Sequence, residues 1–389
     1  MHADSVFLLD GDSREAVAIA RSLGRHGIHV RLATERRMVA AAFSKYVETT
    51  VKCPSPRSEE FITWLKNTLK ESRARVLMSV RDDTTSILVN HADELSELCG
   101  MAVPERKSYE TALSKLDTMR LARDFGVPTP RTLLTKPRDS KEVEEAVGFP
   151  CVIKPEFSSG SRGIAYVSNP SEFARKYDAV VAAYGESIVQ EKIPRQGTAY
   201  GVSMLFNKGK PRAIFSHRRL REYPPTGGPS TLRESVRRPD IEKFATTLLT
   251  GLKWHGVAMV EFKIYERDGI PKLMEINPRF WGSLQLGISA GVDFPFLLYT
   301  LIVNGDVDPV MTYALRVRCR WLLFGDVLWF LSSKKKLGNI GAFLKFKEKG
   351  LHYDIVSLDD FGPVVGSCLD AFTSLLDKQR REHVLKRGI

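Results

Sequence analysis

Cysteine is sparse in this chain of 389 residues, and long apolar runs are missing. The five cysteines, Cys53, Cys99, Cys151, Cys319 and Cys368, are an odd number, lie far apart and form no CxxC pair, which excludes a disulfide framework and a zinc ribbon. The longest apolar stretches, 294–303 and 321–331, fall short of the roughly 18–20 residues that cross a bilayer, and Asp326 interrupts the second. Met1-His2-Ala3-Asp4 runs straight into Val6-Phe7-Leu8-Leu9 without the basic start and cleavage site of a secretory signal, so the expected location is cytoplasmic. The first turn, Asp10-Gly11-Asp12-Ser13-Arg14-Glu15, lacks the three glycines of a dinucleotide fingerprint, and its acids would repel a pyrophosphate. There is no internal repeat and no low-complexity segment.

The composition is that of an ordinary globular protein, 43% hydrophobic and 27% charged, long enough for two or three domains. A formal net charge of +12 raises the question of nucleic acid, and its distribution answers it. Residues 311–389 hold 14 Lys and Arg against 8 Asp and Glu, and residues 218–238 hold six arginines against Glu222 and Glu234. Charge gathered in one loop region and one tail suits anionic small-molecule substrates or a membrane surface at least as well as DNA, and with no nucleic-acid motif beside it nucleic acid is not expected as a partner.

Strand and helix patterns alternate through the first hundred residues: Val6 to Leu9, a helix from about Arg14 to Arg25 closed by Gly27, a strand Ile28 to Ala33, a helix Glu59 to Glu71, a strand Arg75 to Val80 and a helix Thr84 to Cys99. This pattern predicts a parallel sheet covered by helices, over residues 1–105. After Pro104 come two short helices, Tyr109 to Leu113 and Lys115 to Phe125. A larger unit of 106–310 follows, with antiparallel hairpins pairing Cys151–Lys154 with Ile164–Val167, Tyr200–Phe206 with Arg212–Ser216, and Val257–Tyr265 with Lys272–Ile276. Residues 311–389 form a basic C-terminal region. The fold class is therefore α/β and α+β multidomain.

The third hairpin is the most informative. Alternation sets Ala258, Val260, Phe262 and Ile264 on one face and Glu261 and Lys263 on the other, while the second strand sets Met274 and Ile276 on the apolar face and Glu275 and Asn277 on the polar one. A three-residue connection, Arg267-Asp268-Gly269, with Gly269 left-handed, fixes a register in which Glu261 opposes Glu275. Two carboxylates about 5 Å apart at an effective dielectric of 20 repel by about 3 kcal/mol. Lys263 offers one compensation; a divalent cation bound by these carboxylates and Asn277 offers the other, since Mg²⁺ takes hard oxygen donors.

Upstream, Cys151-Val152-Ile153-Lys154 is an apolar strand ending in lysine, followed by Ser158-Ser159-Gly160-Ser161-Arg162-Gly163. Small residues let successive backbone N–H groups converge on phosphate oxygens, with Lys154 supplying charge. Lys115 opens a helix whose N-terminus favours an anion. Ser187 to Ile193 reads as a strand entering a linker, whose backbone suits an adenine edge.

In this order and spacing Lys115, Lys154, Ser158 to Gly163, Gln190-Glu191-Lys192-Ile193, Glu261 and Glu275-Ile276-Asn277-Pro278-Arg279 resemble the ATP-grasp superfamily, over roughly residues 5–310. The resemblance is to its carbamoyl-phosphate-synthetase-like branch, and within it to carboxylate-amine ligases of the D-aspartate ligase and pyrrolysine-biosynthesis type. It implies an N-terminal pre-ATP-grasp domain followed by two antiparallel-sheet subdomains, the glycine-loop subdomain spanning about 130–195. ATP is implied as cofactor, with Lys115 and Lys154 on its phosphates and Ser158, Ser159, Gly160, Ser161 and Gly163 closing over them. Lys192 and Ile193 would meet adenine, with Glu191 beside adenine or ribose. Glu261, Glu275 and Asn277 would hold two Mg²⁺ ions, for which Mn²⁺ could stand in, and Lys154 and Arg279 would be catalytic. The chain departs from the pattern at Thr198-Ala199-Tyr200-Gly201, where many members carry an acid for the ribose.

The activity implied is joining of a carboxylate to an amine through an acyl phosphate, with ADP and phosphate released. The alternatives are a catalytically silent nucleotide-binding protein and an enzyme using a non-amine acceptor. Expected partners are small, anionic carboxylate and amine substrates, a homodimer being compatible with the sequence. Arg218, Arg221 and Arg233 are candidates for the anionic substrate. In the tail, Trp321-Leu322-Leu323-Phe324 and Val327 to Leu331 precede Lys334-Lys335-Lys336, a pattern open to a helix touching anionic lipid but expected to be a core helix packed on the larger unit.

Overall fold

The computed structural model describes residues 4–36, 38–158, 162–194, 198–224, 228–264, 269–333 and 336–376. Fifteen strands form three sheets: β1 (Ser5–Leu8), β2 (His29–Thr34), β3 (Val47–Lys52), β4 (Val76–Met78), β5 (Thr132–Leu133), β6 (Cys151–Pro155), β7 (Ala165–Val167), β8 (Ser187–Glu191), β9 (Thr198–Asn207), β10 (Lys210–Glu222), β11 (Ser230–Ser235), β12 (Gly256–Ile264), β13 (Pro271–Asn277), β14 (Arg318–Arg320) and β15 (Leu351–Tyr353).

The first sheet is parallel, in the order β3-β2-β1-β4. Its first helix, Arg14–Arg25, begins where Ser13 caps it by accepting from the Ala16 N–H at 3.2 Å, and ends before Gly27, which takes the left-handed conformation a side chain resists. The segment expected as one helix after β4 is two, Asp82–Asn90 and Ala92–Ser96, divided at His91. β3 went unread in the sequence because Val47-Glu-Thr-Thr-Val-Lys52 lies at the sheet edge and buries none of its residues fully.

A small antiparallel sheet, β5-β8-β6-β7, is backed by the helix Pro170–Tyr184, which buries Phe173, Tyr177 and Val180 against it. The central sheet is β13-β12-β9-β10-β11-β14-β15. Both of its faces are covered. On one, Val202, Met204, Val260, Phe262 and Leu273 pack with Ile241, Leu248 and Trp254. On the other, Leu205, Phe215, Val257 and Met259 share a core with Val6, Val17 and Ile19 of the parallel sheet and its helix, with Trp281 and Phe294, and with Val317 and Cys319. That shared core, most of it fully buried, couples the first sheet to the central one at about 25 cal/mol per Å² of apolar surface removed from water.

Residues beyond 310 extend the same framework. β14 and β15 join the central sheet, and buried Arg21 of the first helix donates to the Asp360 carboxylate at 2.9 Å.

Candidate active site

The β12–β13 hairpin forms an edge of the central sheet facing the small sheet, and its register sets Glu261 opposite Glu275 and Met259 opposite Asn277, as the alternation of its residues predicts. Gly269 has φ +65, the left-handed conformation assigned to the third loop position, whereas Arg267 and Asp268 lie outside the described residues. One expectation needs correcting. A bulge shifts the register between Glu261 and Phe262, so Leu273, not Met274, joins the buried apolar face. Met274 turns instead to line the cleft between the two sheets.

That cleft, about 480 Å³, is lined from the small sheet by Val152, Lys154, Tyr166, Glu191, Lys192 and Ile193, and from the central sheet by Arg219, Arg221, Glu261, Lys263 and Glu275. Lys115 and Ser158 close one end. Lys154 is buried at the end of β6, where its ammonium donates to Gln190 at 2.7 Å. Burial drives its pKa down to about 8, the Glu275 carboxylate acting against the shift and the Lys115 charge adding to it. Lys115, also buried, donates to the Ser158 carbonyl and lies 3.9 Å from Glu275; its pKa is lowered by burial, with Glu275 opposing.

Glu261 is half-buried among charges. Burial raises its carboxyl pKa, Glu275 raises it further, and Arg219, 2.6 Å away, holds it down. Arg219 is a residue the sequence reading missed. Asn277 presents its amide nitrogen toward Glu261 at 3.4 Å, and its carbonyl accepts from Arg279 at 3.1 Å. Arg279 also donates to Asp82 at 2.7 Å, and Asp82 opens the helix after β4. Asp10, after β1, fixes that corner by accepting from the Val80 and Arg81 amides at 2.8 and 2.9 Å and from the Thr84 hydroxyl at 2.6 Å.

The chemistry of the donor set fits a divalent cation. Two opposed carboxylates and an amide form a hard-oxygen cluster in which burial and the neighbouring Glu275 both disfavour ionised Glu261, and Glu261, Glu275 and Asn277 are the side chains that could hold such an ion.

Of the other predicted residues, Lys192 and Ile193 line the cleft, the Lys192 ammonium 5.2 Å from the centre of the Tyr166 ring. Glu191 lines it too, but its carboxylate is taken by Lys272 at 2.6 Å and Arg131 at 3.0 Å; burial would raise its pKa, and these bonds bring it below the usual value. Gly163, at φ +74, sits where a Cβ would meet Pro155 Cγ at 2.6 Å. Ser159, Gly160 and Ser161 lie outside the described residues. The three substrate arginines separate. Arg221 lines the cleft, bonded to Asp326 at 2.7 Å and stacked 4.2 Å from Trp329, another cleft residue not foreseen. Arg218 pairs instead with Glu234 at 2.6 Å, and Arg233 is fully buried against Asp354, so neither lines the cleft.

A second, wider cavity of about 930 Å³ opens at the carboxyl ends of the parallel strands and reaches Ser158 and Arg279 from the other side, lined by Glu15, Glu35, Arg57, Arg81 and Asp83.

A family described as "ATP-grasp in the biosynthetic pathway with Ter operon" matches residues 186–322, which hold β9 to β13 and the carboxylate pair. The chain is 30% identical over 212 residues to a formate-dependent phosphoribosylglycinamide formyltransferase of Sulfurisphaera tokodaii, covering 50% of this chain and 53% of that one. It is 28% identical over 211 residues to a D-alanine–D-alanine ligase of Nitratidesulfovibrio vulgaris, covering 50% and 68%. The chain thus spans about half the length of the first of these curated relatives. Among solved structures, the fold is similar to that of a biotin carboxylase in complex with β,γ-ATP from Campylobacter jejuni, with a TM-score of 0.67 at 14% identity over 81% of this chain and 74% of that one. The fold, the family match over residues 186–322 and the arrangement of Lys115, Lys154, Glu261, Glu275 and Asn277 agree with one another, and over that segment the chain is similar to the ATP-grasp superfamily.

Proposed function

We propose that this protein is an ADP-forming carboxylate-amine ligase that makes an amide bond through an acyl phosphate. The observation carrying this reading is the opposition of Glu261 and Glu275 on the hairpin, in the same cleft as Lys154 and with Lys115 3.9 Å from Glu275. Paired acids beside paired lysines suit a triphosphate held with Mg²⁺, which when bound supplies Lewis-acid polarisation of the phosphoryl oxygens. Glu261, Glu275 and Asn277 are the side chains that would hold the cation.

In this scheme Lys154 and Lys115 neutralise phosphate oxygens, Ile193 and Met274 give apolar contact to the base, and Arg219 and Arg279 flank the carboxylates to offset charge developing on the transferred phosphoryl group. A substrate carboxylate oxygen attacks the γ-phosphorus and the bond to ADP breaks. The amine nitrogen then attacks the acyl carbon, the bond to the phosphate oxygen breaks, and the amine loses its proton. No protein nucleophile is required, because positioning and electrostatics carry such a transfer. The wider cavity, with Glu15, Glu35 and Asp83 beside Arg57 and Arg81, suits a substrate with both an amine and a carboxylate. The alanine substrates in the name of one relative are of that kind.

The test is ADP release over a matrix of candidate acids and amines, with hydroxylamine trapping of the acyl phosphate. A hydroxamate formed only with ATP and one class of acid supports the ligase. Bound ATP with no ADP across the panel would identify a silent nucleotide-binding protein and end this reading.

A further inference from the structure

Trp321 to Leu331 was expected to contribute a core helix, and the segment 321–346 departs from that. Neither of its two helices, Val327–Ser332 and Lys336–Phe343, has a fully buried residue. The inner side is nonetheless fixed. Phe330 and Phe343 stack at 4.4 Å, Arg320 lies 5.0 Å from the Phe343 ring and 5.1 Å from that of Phe346, and its guanidinium donates to the Phe343 carbonyl at 2.8 Å. The outer side has no cover among the described residues. Leu337, Ile340 and Leu344 follow one another at helical spacing, the Leu344 N–H still bonding the Ile340 carbonyl, and they are 89%, 45% and 56% exposed. Gly338 and Gly341 between them have nothing within 4 Å of where a Cβ would stand, so the face is open along its length. Leu331, 56% exposed, is a further apolar side chain of the neighbouring helix.

The charge around this row is one-signed. Residues 321–350 contain six lysines and two acids, and both acids are already engaged, Asp326 by Arg221 and Arg320, Glu348 by Arg318 at 3.0 Å. Lys336, Lys345, Lys347 and Lys349 are exposed, and among the described residues no acid pairs with them. An apolar row rimmed by uncompensated lysines is unsuited to a second copy of itself, because the lysines of two copies would repel. It suits a surface that offers apolar depth and negative charge together.

We infer that the Lys336–Lys349 face is a docking surface for an anionic lipid bilayer, with Leu337, Ile340 and Leu344 entering the headgroup boundary and the lysines meeting anionic headgroups. No helix of the described residues is long and apolar enough to span, so the contact is peripheral. Each lysine close to an anionic surface contributes about fivefold in partitioning, so the contact is weak in neutral membranes and salt-sensitive in charged ones. The inference does not depend on the ligase reading.

The test is flotation of the full-length protein with vesicles of phosphatidylcholine alone and of phosphatidylcholine containing about one-third phosphatidylserine, as order-of-magnitude compositions for a strongly anionic surface. Expected are binding to the second only, its loss at high salt, and about a hundredfold weaker partitioning for K345Q/K347Q/K349Q. L337S/L344S should weaken binding without changing the thermal midpoint, since these side chains are exposed. Absence of binding to the anionic vesicles would overturn the inference, as would binding that both variants retain. A patch variant that abolishes self-association in ultracentrifugation while leaving vesicle binding intact would assign the face to a second copy and overturn it equally.

Discussion

The Arg279 guanidinium donates to the Asp82 carboxylate at 2.7 Å, a bond between the segment just beyond β13 and the helix that opens after β4, 197 positions apart in the chain. Burial would lower the Arg279 pKa, but Asp82 brings it above the usual value, so the side chain is charged and held in one orientation. Asp82 borders the wider cavity rather than the cleft between the sheets, and its bond to Arg279 positions that guanidinium. Asp82→Asn should reduce kcat by about 10- to 100-fold, the range for misplacing a charge-stabilising group, with KM for ATP within about threefold of the parent. Equal loss in KM and kcat, or a collapse in thermal midpoint, would show a structural role only.

On the proposed reading, Arg219 and a metal ion would compete for the same carboxylate. Arg219 approaches Glu261 at 2.6 Å, and without it the half-buried carboxylate keeps Glu275 as its unfavourable neighbour. Arg219→Met should destabilise the metal-free protein by about 1–3 kcal/mol, discounted from the value for a fully buried pair because Arg219 is partly exposed. Added Mg²⁺ should then raise the thermal midpoint of the variant more than that of the parent. Equal increments in calorimetry would mean that the carboxylate does not meet the ion.

Lys154 gives a pH dependence with a definite sign. Its pKa of about 8 in the free protein is below the ordinary lysine value because the ammonium is buried, so the charged form that attracts phosphate is lost as pH rises through 8. The profile of kcat/KM for ATP should fall on its alkaline side near pH 8, while kcat holds to higher pH because bound phosphates restore the lysine charge. Lys154→Arg should remove the alkaline fall, since guanidinium stays protonated throughout. For stability the sign is opposite: the unfolded chain binds the extra proton between about pH 8 and 10.5, so this group makes folding more favourable as pH rises across that window.

The opposition of Glu261 and Glu275 was legible because strict alternation and the connection length allow one register that keeps Ala258, Val260, Phe262 and Ile264 on one face with Ile276 of the partner strand. Met274 escaped that logic. A bulge adds a residue to one strand, and nothing in Leu273-Met274-Glu275 announces where it falls. Arg219 was hidden for a different reason. Both faces of the central sheet are covered, so Ile214 and Phe215 are buried on opposite sides and the pattern reads as continuously apolar. The parity that places Arg219 with Phe215 and His217, on the Glu261 side, and Arg218 on the other, appears only once the layers are known. Trp329 and Asp354 reach their partners across 108 and 121 positions, contacts for which no local pattern exists.

Arg221 and Arg233 looked alike in the sequence and should behave oppositely when replaced. Arg233 is fully buried against Asp354, whose pKa, raised by burial, is brought below the usual value by the Arg233 and Arg14 charges. Arg233→Met leaves a buried carboxylate with Arg14 at 3.4 Å and the weak Cys319 thiol donor at 3.0 Å, and the loss should approach the roughly 3–5 kcal/mol of a broken buried pair, a large part of the 5–15 kcal/mol that typically holds a fold. Arg221→Met leaves Asp326 with Arg320 at 2.6 Å and the Thr231 hydroxyl at 3.0 Å, so its cost should be about 1 kcal/mol. The Arg221 guanidinium faces the cleft over Trp329, and its removal should raise KM for an anionic substrate about tenfold, the equivalent of one charge-assisted hydrogen bond. Denaturant melts and steady-state kinetics on the two variants separate these effects. A destabilised Arg221 variant with unchanged KM would place that arginine with Arg233 among the structural pairs, whereas the reverse split assigns it to substrate.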